Sequence, residues 1–101
     1  MNVSLRQLKA FLGVAEAGNF TRAAQRLQLS QAALSAAIRE LEAQFGTRLF
    51  ERTTRNVSLT GNGKLLLETA RRMVGELENV SLRMQEAERQ EGSEIKLGFT
   101  P

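Results

Sequence analysis

The chain has 101 residues, 42% of them hydrophobic and 25% charged, which is one small domain with an appendage and too apolar for a disordered chain. It has no Cys and no His, and all 11 acidic residues are Glu, which rules out disulfides, thiolate or imidazole metal sites, and Ser–His or Cys–His nucleophiles. The net charge of +3 is unevenly spread: residues 1–63 hold eight Arg and Lys against four Glu, and the remainder six against seven, so the basic excess lies wholly in the first part.

No segment approaches the ~20 apolar residues of a membrane helix, and no basic-then-apolar leader opens the chain. The expectation is a cytoplasmic protein that is not an enzyme, with no cofactor, no metal and no membrane partner. No pair of carboxylates sits in a setting that suggests acid–base chemistry.

The first helix is predicted from about Leu5 to Ala17. Ser4 and Gln7 have capping-box spacing, Val3 and Leu8 suit a hydrophobic staple, and Gly18 ends the helix. Leu5, Leu8, Phe11, Leu12 and Ala15 recur at helical spacing and are expected to face the core.

Two shorter helical patterns then meet at a tight turn. Thr21 is predicted to cap a helix over residues 22–27, and Ser30 a helix over residues 31–45 that stops at Gly46. Ala23, Leu27, Leu29, Leu34 and Ala37 fall where two steeply crossing helices face each other, and Ala24 where their backbones come closest. Ile38, Leu41 and Phe45 continue the buried stripe. The opposite face carries Gln31, Ala32, Ser35, Ala36 and Arg39, small or polar residues that core packing does not call for. This is a helix-turn-helix whose second helix suits a DNA major groove.

The segment from Arg48 to Leu59 changes period. Two alternating runs, 49–52 and 57–59, flank a polar turn at residues 53–56, so a two-stranded wing is predicted with Phe50 anchoring it. Arg52 and Arg55 lie near its tip, placed for phosphate contact or the minor groove. The neighbouring Gly61-Asn-Gly63-Lys64 has a superficial phosphate-loop look, but Leu65 stands where Ser or Thr is needed, and nucleotide binding is set aside.

Thr60 is predicted to cap a long helix ending near residue 88 or 89. Leu66, Ala70, Met73, Leu77, Val80, Met84 and Ala87 alternate steps of four and three, a heptad seam that calls for a partner helix and points to a homodimer. The heptads do not fix whether the helices run parallel or antiparallel. Residues 90–94 are expected to form a hinge, and Ile95 to Phe99 a strand that opens a further domain.

Taken together, Leu8…Phe11, then Ala15-Glu16-Ala-Gly-Asn-Phe-Thr-Arg-Ala-Ala, Leu27…Ser30-Gln31, Ala33-Leu-Ser35, Ile38…Leu41-Glu42, Phe45-Gly46, Leu49-Phe50-Glu-Arg52 and Leu59-Thr60 resemble LysR-type transcriptional regulators over residues 3 to 89. The resemblance implies a mainly α fold: a winged helix-turn-helix of three helices and a two-stranded wing, followed by a long linker helix. It implies dimerisation through that linker, usually antiparallel, and a C-terminal effector-binding domain, missing here, that takes a small molecule. Family contacts to bases and backbone map to Gln31, Ala32 and Ser35, and the wing contact to Arg55 with Arg52 nearby. The family often has Pro at the position of Ala32 and commonly a basic residue at that of Ala36. The second departure removes a reader, so base discrimination falls on Gln31, Ser35, Arg39 and DNA shape.

The expected organisation is therefore a DNA-binding domain over residues 1–60, a linker dimerisation helix over 61–89, and a hinge with the first strand of the missing domain over 90–101. The expected function is sequence-specific binding of double-stranded DNA at an interrupted inverted repeat, in association with the nucleoid. Thr21, Ser30 and the helix N-termini are assigned to phosphates. A protein-interaction module built on the long helix, and a MarR-like repressor, are the alternatives.

Overall fold

The computed structural model describes residues 1–53 and 56–94. Helices α1 (Leu5–Ala17), α2 (Phe20–Leu27) and α3 (Gln31–Phe45) are followed by strands β1 (Phe50–Arg52) and β2 (Val57–Leu59) and a 34-residue helix, α4 (Gly61–Glu94). The strands pair antiparallel, with Phe50 opposite Leu59 and Arg52 opposite Val57.

Local signals start and stop each helix. Ser4 Oγ accepts from the Gln7 N–H at 3.1 Å while Gln7 Oε1 accepts from the Ser4 N–H at 3.0 Å, completing the capping box. Gly18 and Gly46 close α1 and α3 in the left-handed conformation. The cap of α2 differs from expectation. Asn19, not Thr21, starts the helix, its Oδ1 accepting from the Arg22 N–H at 2.9 Å. Asn ranks above Thr as a cap, and starting there turns Phe20 toward the core.

The buried face of α1 is also rotated from the predicted one. Leu8, Ala10, Phe11 and Val14 are buried, whereas Leu5 is exposed and Leu12 and Ala15 are half-buried. The reason is that α2, α3 and α4 all pack on this helix, so the buried sector widens toward Ala10 and Val14. Ala23, Ala24, Leu34, Ala37, Ile38, Leu41, Leu49 and Phe50 complete the centre. Each large aliphatic or aromatic side chain removed from water here contributes about 1.5–3 kcal/mol.

The wing is bolted to the helices by polar contacts. Glu42 Oε2 on α3 accepts from the Leu49 and Phe50 N–H groups at 2.8 and 3.3 Å. Thr60 Oγ1 donates to the Arg48 carbonyl at 2.7 Å and accepts from the Gly63 N–H at 3.0 Å, which caps α4 as expected. Further along, α4 packs on α1 and buries Ala70 and Val74. It does not break at residues 90–94 but continues to Glu94. Gln90 and Glu91 are good helix formers, and a lone Gly costs only about 1 kcal/mol relative to Ala. The strand expected over residues 95–99 lies outside the described residues.

Candidate nucleic-acid interface

The turn between α2 and α3 fixes how the third helix is presented. Gln28 takes φ 58°, ψ 44°, its N–H donates to the Gln25 carbonyl at 3.2 Å, and the Leu29 N–H reaches the Ala24 carbonyl at 2.9 Å. These two bonds form a Schellman motif with Gln in the position usually held by Gly. Ser30 follows directly and caps α3, its Oγ accepting from the Ala33 N–H at 3.0 Å. Ser30 is thus first a cap, with its own hydroxyl proton left to donate.

On α3, Leu34, Ala37, Ile38 and Leu41 face inward, and Gln31, Ala32 and Arg39 are exposed. Ser35 and Ala36 are half-buried at the edges of the same face. Gln31, Ser35 and Arg39 form one line of four-residue steps about 12 Å long, comparable to the width of the DNA major groove. The face carries no bulky apolar side chain. Thr21, exposed in the first turn of α2, sits beside this line, and the Gln31 Nε2 donates to its Oγ1 at 2.8 Å. The sequence named both residues but gave no sign that they touch.

Of the two arginines expected on the wing, the structure describes Arg52. The Arg52 guanidinium lies over the Phe20 ring, 4.9 Å from its centroid, so the arginine expected near the tip folds back on α2. Phe20 meets Phe50 edge-on at 6.4 Å, and Phe50 lies tilted against Phe11 at 5.2 Å. Arg55 lies outside the described residues. The turn is closed by Thr53, whose N–H and Oγ1 both donate to the Asn56 carbonyl at 3.0 Å.

Of the residues expected on the linker seam, Ala70 belongs to the chain's own core, and Leu66 packs at its edge. Met73, Leu77, Val80 and Met84 are exposed by 49%, 51%, 37% and 64%. Among the described residues no group of side chains is set to hold a metal ion, and no helix is long and apolar enough to cross a membrane.

Residues 5–64 match the family described as "Bacterial regulatory helix-turn-helix protein, lysR family". The chain belongs to the LysR family. It is 47% identical over 97 residues to the HTH-type transcriptional regulator TfdT of Cupriavidus pinatubonensis, covering 96% of this chain but 42% of that protein. It therefore spans less than half the length of this relative. Solved structures share the fold, among them two DNA complexes. One, a crystal structure of a CbnR_DBD–DNA complex, is 42% identical with a TM-score of 0.77, covering 83% of this chain and 97% of that one. The other, a BenM_DBD/benA site 1 DNA complex, is 34% identical with a TM-score of 0.76, covering 83% and 96%. The LysR-family winged helix-turn-helix with its long following helix is thus the fold of this chain, and its relatives are transcriptional regulators rather than enzymes.

Proposed function

We propose that this chain is the DNA-reading part of a LysR-type transcriptional regulator, acting in the cytoplasm on nucleoid DNA. The observation that carries the reading is the line Gln31–Ser35–Arg39, exposed at both ends and half-buried at Ser35, on the outer face of the third helix of the helix-turn-helix, with a wing beside it. Helix α3 enters the major groove, where Gln31 and Ser35 meet base edges and Arg39 a base or phosphate. Ala32 and Ala36 let the helix sit close, and either methyl suits a thymine methyl. Ser30 and Thr21 donate to phosphates. Arg55 is assigned the wing contact from the sequence, and Arg52 supports it from its seat on Phe20.

Two copies associate through the exposed stripe of α4, and an antiparallel arrangement has the better charge balance. Residues 64–72 carry Lys64, Arg71 and Arg72 against Glu68, whereas residues 76–88 carry Glu76, Glu78, Glu86 and Glu88 against Arg83. Antiparallel packing centred on Leu77 sets the basic residues 64–72 against residues 82–90, where Arg83 and Arg89 balance Glu86 and Glu88, and parallel packing sets the two basic segments against each other. An apolar groove of about 580 Å³, lined by Met1, Val3, Leu8, Phe45, Leu66 and Met73, continues the stripe and receives the partner's distal half. Such a dimer presents two α3 helices to half-sites of an interrupted inverted repeat. A small-molecule effector would act through a further domain of the whole regulator.

Anisotropy titration against a selected duplex at several salt concentrations tests the reading. Gln31→Ala is expected to lose about 1–3 kcal/mol, concentrated at one base pair. Arg55→Ala is expected to lower the salt slope by roughly one. Absence of binding to any duplex at low salt would overturn the reading.

A further inference from the structure

The bond between Gln31 and Thr21 bears on which base the helix selects. An exposed Gln amide turns readily about its last torsion and presents donor or acceptor to a base edge indifferently. Here the Nε2 donates to Thr21 Oγ1 at 2.8 Å, across the turn and from a different helix. One of its two N–H groups is committed, which leaves one N–H and the Oε1 lone pairs for a ligand. One donor beside one acceptor matches the major-groove edge of adenine, which offers N7 as acceptor and the N6 amino group as donor. Guanine offers two acceptors, N7 and O6, and the tethered amide would set its own oxygen against O6.

We propose that Thr21 is a positioning residue that orients the Gln31 amide so that α3 selects adenine over guanine at one base pair. The proposal rests on the DNA-binding reading above. Its geometry is already built, since the turn that separates the two residues is fixed by the Gln28 and Leu29 backbone bonds. Thr21 retains its hydroxyl proton, so binding of that proton by a DNA phosphate leaves the bond to Gln31 in place.

The test uses the full 101-residue chain as wild type, Thr21→Val, Thr21→Ser and Gln31→Ala. Each is put through selection from a random duplex pool. Affinities are then measured on duplexes that differ only at the pair whose preference Gln31→Ala erases. The wild type is expected to favour adenine over guanine there by about tenfold. Thr21→Val, which keeps the shape but loses the hydroxyl, is expected to reduce that ratio below about threefold, and Thr21→Ser to restore it. A uniform weakening of Thr21→Val on every duplex, with the adenine preference intact, would give Thr21 only a phosphate or folding role and overturn the proposal. Selection of guanine by the wild type, or no preference lost in Gln31→Ala, would also overturn it. If the wild type shows native helical dichroism yet enriches no sequence, the DNA-binding reading itself falls, and the proposal with it.

Discussion

Arg52 on β1 places its guanidinium 4.9 Å from the centroid of Phe20, the first residue of α2, and so ties the wing to the helix-turn-helix. Phe20 in turn meets Phe50, and Phe50 meets Phe11, so a row of rings runs from the exposed wing into the core. A cation over a ring at an exposed site contributes about 0.5–1 kcal/mol. A double-mutant cycle of Arg52→Gln and Phe20→Leu, read by urea unfolding, is expected to return a coupling energy of that size. A coupling within error of zero would leave the wing held by Glu42, Thr60 and Phe50 alone.

The turn before α3 stores a small strain at Gln28. A residue other than Gly at positive φ costs about 1 kcal/mol, partly offset in the comparison with Gly by the greater freedom of Gly in the unfolded chain. Gln28→Gly is expected to leave stability unchanged or raise it by up to about 1 kcal/mol. Gln28→Val, β-branched at the same φ, is expected to lower it by about 1–2 kcal/mol. Chemical denaturation with an unchanged m-value would show that the effect is on stability and not on the size of the unfolding unit.

Gly63 is required for a different reason. A Cβ there would collide with the Leu49 backbone carbonyl, which receives the Thr60 N–H and cannot move without opening the wing junction. Gly63→Ala is expected to cost about 3 kcal/mol or to prevent folding, toward the upper end of overpacking effects. Gly13 gives the contrast. A Cβ there comes within 2.8 Å of a Leu27 methyl group, the free end of a side chain that can turn aside. Gly13→Ala is therefore expected to cost less than about 1 kcal/mol, since the methyl can yield and Ala is the better helix former. Thermal melts of the two variants side by side would expose the difference.

Much of this architecture was readable from the sequence because it rests on local rules. The Ser4–Gln7 box, Ser30, Thr60, Gly18 and Gly46 act within one turn of chain, and the alternation around residues 53–56 is equally local. What the sequence did not show are relations across elements. Asn19 and Thr21 are both capping residues, and only the packing of Phe20 decides between them. Ala70 fits a heptad as well as it fits a core, and the neighbouring burial of Val74, one residue off the heptad, shows that α1 claims this part of the helix. The seat of Arg52 on Phe20 and the bond from Gln31 to Thr21 join residues with no periodic relation, so no spacing rule reaches them.

The proposed dimer makes the sharpest demand on α4. Leu77 lies near the middle of the stripe from Leu66 to Ala87, so in an antiparallel pair it meets its own counterpart, whereas Met84 meets the region of Ala70 and Met73. In a parallel in-register pair every seam residue meets itself. The chain has no cysteine of its own, so single substitutions report cleanly. Leu77→Cys is expected to form a disulfide-linked dimer under mild oxidation, and Met84→Cys to stay reduced, because cross-linking needs Cα atoms within about 7 Å. Leu77→Glu is expected to sediment as a monomer. It should lose about 10²-fold or more in affinity for a two-half-site duplex while binding a single half-site as the wild type does. Cross-linking at both positions would establish the parallel arrangement and discard the charge argument for the antiparallel one.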